Sequence, residues 1–193
     1  MANAYDQMKE DQTADADFEF VVELLAEFFS RKRIQNTLVQ IWDTEVTGWE
    51  KWWQIELAMF LDEHEDIAEW NMEEEFHTDL RTSVTKDFMA LDICFRRKRF
   101  VANHFVFLEL KQDLNWKRCI GSMLSDAEKF GTSKTRSIEG RQVRSFWLVG
   151  VHPGNSKSEV HDYIEEATSR RDVDWRAMET RFIGGTPYVF TVI

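Results

Sequence analysis

Apolar residues recur at intervals of three and four through Phe18, Val21, Val22, Leu25, Phe28 and Phe29, the spacing of one face of an amphipathic helix, and Asp15 or Asp17 stands where its N-cap would fall. Ile34, Leu38, Ile41 and Trp42 continue as a second helical piece. Thr47 and Glu50 then stand in capping-box register ahead of a third helix. In it Trp49, Trp53, Leu57 and Phe60, with Trp52, Met59 and Leu61 alongside, are apolar nearly all round, so this helix is expected to be buried. After an acidic stretch over 62–70 the pattern changes: 73–81 reads as a heavily charged edge strand. The aromatic and branched runs 88–95 and 105–110 read as a hairpin joined through the polar cluster 96–99. Trp116, Cys119, Ile120, Met123, Leu124, Ala127 and Phe130 return to helical spacing and stop at Gly131. The continuous apolar run 146–151, bounded by Pro153-Gly154, reads as a buried strand reached by a helical crossover. Val160, Tyr163, Ile164 and Ala167 mark a last helix, and 180–183 and 188–193 around Gly184-Gly185 a terminal hairpin.

Residues 1–16 show no periodicity and are expected to form a flexible tail, leaving 17–193 as one domain. A chain of 193 residues with 43% hydrophobic and 13% aromatic content is large enough for a full core. No apolar run approaches the roughly 18 residues of a membrane span, and the N-terminus carries no signal-like apolar segment, so a cytoplasmic location is expected. Cys94 and Cys119 fall inside a strand and a helix, without the spacing of a zinc site, and are expected to be buried thiols.

Chemistry enters at the central hairpin, where Asp92, Glu109 and Lys111 interrupt strands that are otherwise apolar on both faces. A tip at Phe100-Val101 sets Asp92 directly opposite Glu109, with Cβ atoms about 4.5–5.5 Å apart. Side-chain alternation puts Phe107, Glu109 and Lys111 on one face of their strand and Val106, Leu108 and Leu110 on the other. Two buried carboxylates that close are costly unless a cation or hydrogen-bond partners compensate, and a divalent ion with an ammonium beside it is the simplest compensation. Asp92, a hairpin, and then Glu109-Leu110-Lys111 resembles the Asp…Glu-x-Lys motif of the PD-(D/E)xK nuclease superfamily, with Leu91 standing where the name-giving motif has proline. The element order helix, strand, hairpin, helix, strand over about 48–152 resembles the αβββαβ core of the same restriction-endonuclease-like α/β fold. That resemblance implies a mixed central sheet flanked by helices, here with extra N-terminal helices and a C-terminal hairpin.

The resemblance further implies a nuclease that hydrolyses phosphodiester bonds of nucleic acid, DNA before RNA, with Mg2+ or Mn2+ as cofactor. Asp92, Glu109 and Lys111 would be the catalytic residues, and Asp92 and Glu109 metal ligands. A helix ahead of the sheet often adds a Glu in this family; Glu56 matches that position best, and Glu50 is the alternative. Arg96, Arg97, Lys98 and Arg99 at the hairpin tip, with Lys134, Arg136, Arg141 and Arg144 before the last core strand, form clusters able to hold a phosphate backbone. The formal charge of −11 pulls the other way. It suits an alternative in which the fold has lost catalysis and serves as an acidic interaction module or nucleic-acid mimic, with a protein partner or a second copy of itself.

Overall fold

The computed structural model describes residues 4–77, 88–132, 137–138, 141–169, 175 and 177–193. Five helices, α1 (Ala4–Ser30), α2 (Lys32–Asp43), α3 (Glu50–Glu63), α4 (Trp116–Thr132) and α5 (Lys157–Thr168), pack on one mixed sheet. Its strands are β1 (Ile67–His77), β2 (Phe88–Arg97), β3 (His104–Gln112), β4 (Ser137–Ile138), β5 (Arg141–Pro153), β6 (Glu179–Phe182) and β7 (Tyr188–Val192). The sheet runs β1-β2-β3-β5-β7-β6, with the two-residue β4 paired to β5. Only β3 and β5 are parallel, as the helical crossover through α4 requires; the remaining pairs are antiparallel. From α3 to β5, β4 aside, the order is the αβββαβ expected from the periodicity.

Alternation along the strands sorts the core into two layers. Val106, Leu108 and Leu110 of β3, Val149 and Val151 of β5, and Phe190 and Val192 of β7 pack with α1, α2 and α3. On the opposite face Leu148 meets Cys119, Ile120, Met123 and Leu124 of α4 and Val160 and Ile164 of α5, while Phe105 and Phe107 cluster with Leu91 and Cys94. Both cysteines are buried and neither is in a disulfide. Among the described residues no helix is long and apolar enough to cross a membrane.

Several boundaries differ from those expected. α1 begins at Ala4, because the Ala-, Gln-, Met- and Glu-containing segment ahead of its apolar stripe has the propensity to continue the helix. Asp17 is therefore no cap. It lies within α1, fully buried, and accepts hydrogen bonds from Arg144 Nε (2.8 Å) and Ser145 Oγ (3.0 Å). Ser145 Oγ accepts in turn from Trp147 Nε1, so this network ties α1 to β5. α3 ends at Glu63 and β1 starts at Ile67, so the outer strand opens earlier than its charged centre suggests; the part of it expected over 78–81 lies outside the described residues. The capping box at Thr47 does not form: Trp49 is the N-cap, without a side-chain bond, and the Glu50 carboxylate is used elsewhere. Gly48, at φ +72°, turns the chain into this helix.

Gly150 sets how closely α4 approaches the sheet. It sits on β5 opposite Lys111, and a Cβ there would lie 2.5 Å from Met123 Sδ and 2.9 Å from Cys119 Sγ. Gly150→Ala is expected to destabilise the fold by about 1–3 kcal/mol by pushing α4 outward, measurable as a lower urea midpoint. Arg144→Ala should cost a similar amount or more by stranding the buried Asp17 carboxylate, whereas a purely solvent-facing Arg144 would leave the midpoint unchanged.

Candidate metal and phosphate site

The ladder between β2 and β3 runs through Phe95↔Val106, Cys94↔Phe107 and Ile93↔Leu108, a register whose next step is Asp92 opposite Glu109. There the two strands part. β2 stays paired with β1 along its length, and β3 with β5 as far as Gln112, so the sheet forks at Asp92. The Asp92 side chain spans the opening, its Oδ2 accepting the Leu110 N–H at 2.7 Å. Its main-chain carbonyl accepts Gln54 Nε2 of α3, also at 2.7 Å. Side chains thus replace ladder bonds at the fork, satisfying backbone groups that splaying would otherwise orphan.

One residue before Leu110 and one after it, Glu109 and Lys111 share the α4 face. Lys111 Nζ donates to Glu109 Oε1 at 2.6 Å and lies 2.9 Å from Asp126 Oδ2 of α4. Glu50 closes the group from α3, its Oε2 accepting the Gln112 N–H at 3.2 Å. Glu109 Oε2 is buried with no hydrogen-bond partner among the described residues.

The electrostatics follow from this crowding. Burial, and then the Asp92 charge, push Glu109 up from an ordinary 4.5 to about 7, although Lys111 acts against the shift. Burial raises Asp92 and Glu50 as well, against the pull of Lys111 on both. Desolvation disfavours the Lys111 ammonium, but Glu109 and Asp126 more than offset it and its pKa rises. Asp126 is lowered: burial works against its ionised form, but its bonds to Lys129 and Lys111 outweigh that. The one pairing thus moves its partners unequally. Lys111 faces two bonded carboxylates, while Glu109 faces one ammonium and an opposing carboxylate.

Glu56, expected in this group, is not brought to it. Glu50 and Gln54 lie four residues apart on one face of α3, and Glu56, two residues past Gln54, points to the other side. There it pairs with Arg33 of α2 through Nη1–Oε1 at 2.8 Å and Nη2–Oε2. The Arg31-Lys32-Arg33 cluster makes contacts within the helical layer, Arg31 reaching Glu63 at 3.2 Å.

The basic clusters also fall elsewhere. Arg97 is five residues from Asp92 along β2, about 17 Å at the strand rise. Its guanidinium lies over Phe20, Arg96 pairs with Glu69, Arg141 lies over Phe105, and Arg144 holds Asp17 beneath Phe100. Lys98 and Arg99 are exposed at the tip; Lys134 and Arg136 lie outside the described residues. Lys51 of α3 acts on Asp92, and Lys117, Arg118 and Lys129 of α4 line a cleft of about 820 Å³ together with Glu50, Lys111 and Asp126. Sequence reasoning passed over these α4 cations and Asp126, although they occupy the polar side of α4 opposite its apolar stripe, a legible signal.

Among the described residues, three metal-competent side chains draw within 4.8 Å of one another only at His161, Asp162 and Glu165 on the outer side of α5. The fork offers the carboxylates of Asp92 and Glu109, hard oxygen donors with one oxygen unpartnered. That set fits Mg2+, which is bound by one or two carboxylates plus waters and phosphate oxygens rather than by a closed protein cage. In comparisons with known proteins, no family model, no curated protein and no solved structure matches the chain.

Because the folded pKa of Glu109 exceeds its unfolded value, the folded chain retains a proton between pH 4.5 and 7 that the unfolded chain releases. Its contribution to stability therefore falls as pH rises through that window. In EDTA, Glu109→Gln should match wild type near pH 4 and be more stable at pH 8, by up to about 3 kcal/mol. Thermal melts across this range check it; a variant less stable than wild type at pH 8 would show that the Lys111 pairing outweighs the repulsion.

Proposed function

We propose that the chain is a divalent-metal-dependent phosphodiesterase of PD-(D/E)xK type that hydrolyses nucleic acid, DNA before RNA. The observation that carries this reading is the fork itself. It gathers Asp92, Glu109 and Glu50, all with raised pKa values, around a charged lysine and a buried unpartnered carboxylate oxygen, at the carboxyl end of the central strand. In open α/β sheets this end is where ligands bind.

Asp92 and Glu109 would hold Mg2+ or Mn2+, which when bound supplies a Lewis acid for the phosphate and a more acidic water. The protein's own residues divide the remaining work. Lys111 is held as an ammonium by Glu109 and Asp126, so it serves as a hydrogen-bond donor and a positive charge rather than as a general base. In that state it can orient the attacking water and offset charge that builds on the phosphoryl oxygens. Gln54 fixes the Asp92 backbone and Leu110 N–H fixes its carboxylate, so Asp92 enters the reaction already oriented. Glu50 supplies the third carboxyl group in place of Glu56.

Cleavage should be tested on plasmid, linear duplex, single-stranded DNA and RNA with Mg2+ or Mn2+. Activity is expected to be abolished by EDTA and to fall by at least about 10²-fold in Lys111→Ala and in Asp92→Asn. Glu56→Gln should retain it. No cleavage of any substrate with either ion, or full activity in Lys111→Ala, would sink the proposal.

A further inference from the structure

Glu50, Lys111 and Asp126 of the acidic group line a cleft against α4. Lys117, Arg118, Ser122, Ser125 and Lys129 of α4 and Tyr163 of α5 line this cleft. From Lys117 to Lys129 the helix spans about 18 Å. Arg118 is held by Asp113 at 2.8 and 3.0 Å and Lys129 by Asp126 at 2.5 Å, yet their side chains are 71% and 64% exposed. Tyr163 packs edge-on against Trp116 at 5.3 Å, and Lys117 Nζ lies 5.6 Å from the Tyr163 ring. Cations in a row, hydroxyls between them and an aromatic ring beside them combine backbone neutralisation with a stacking face.

We infer that this cleft binds a short single-stranded segment of nucleic acid, with its backbone along α4 and a base against Tyr163, and delivers one phosphate to Lys111. The inference rests on the proposed phosphodiesterase reading for its chemistry, but not for the binding itself. Two observations select a single strand over a duplex. Lys111 and Asp126, which line the cleft, are recessed, with side chains only 19% and 17% exposed, so a phosphate must enter the cleft to meet them. The chain carries a formal charge of −11. A long duplex backbone would therefore meet repulsion beyond a footprint of about three phosphates.

Binding is best read in the Asp92→Asn protein with Mg2+, by fluorescence anisotropy of a labelled 12-nucleotide single strand, the matching duplex and a mononucleotide. The single strand should bind at least tenfold more tightly than the duplex and the mononucleotide. Its log affinity should fall with log salt with a slope of about −2, the value for three phosphates on a single strand. Lys117→Glu/Arg118→Glu should weaken binding at least tenfold, and Ser122→Glu, an exposed helix position on the same side, should weaken it independently. Unchanged binding in both variants, a preference for duplex, tightest binding of the mononucleotide, or no binding would each overturn the inference. Single-strand binding lost in the variants while wild type cleaves nothing would refute the phosphodiesterase reading and leave the cleft assignment standing.

Discussion

The hydrogen bond from Leu110 N–H to Asp92 Oδ2 is the contact on which the arrangement of this molecule turns. β3 is paired on one edge to β5 along its length and on the other to β2 only as far as Ile93. A sheet cannot simply be unzipped in a protein interior, because each freed N–H and C=O must find a partner. Asp92 supplies the acceptor from its side chain, and Gln54 supplies the donor from α3. The fork is thereby a stable feature whose freed backbone groups are satisfied from side chains.

Once the fork exists, the elements around it acquire positions that serve it. Gly150 lets α4 lie close enough to the sheet for Asp126 to reach Lys111, and the start of α3 brings Glu50 to the Gln112 N–H. Lys111 is in this way held from two elements, β3 and α4, and its charge is the most strongly stabilised in the group. The carboxyl groups are not equally well served. Asp92, Glu109 and Glu50 all titrate above their ordinary values because burial removes water from more negative charge than one ammonium can balance. Such a surplus is costly to folding and useful to a site that must attract a cation.

The far end of the sheet shows the opposite use of charge. Asp17, Arg144 and Ser145 form a closed network in which the buried carboxylate is bonded to a guanidinium and a hydroxyl, and Arg96, Arg97 and Arg141 are laid on a carboxylate or on aromatic rings. The same residue types, clustered in the sequence as a candidate phosphate rim, are used to fasten α1 and the hairpin tip to the sheet.

Periodicity determined the helices, the central hairpin and the order of elements, because burial of one face is a local property of spacing. Alternation likewise placed Glu109 and Lys111 together and away from Leu108 and Leu110, and the polar side of α4 was open to the same reading. What spacing could not decide was the fork, since a ladder that continues and one that parts at Asp92 have the same alternation. It could not choose between Glu50 and Glu56, because that choice depends on which side of α3 meets the sheet, and an apolar-all-round helix does not announce one. Nor could it separate Arg144 from a solvated cation: its partner Asp17 is 127 residues away in the chain, and only the packing of α1 against β5 brings the two within 2.8 Å.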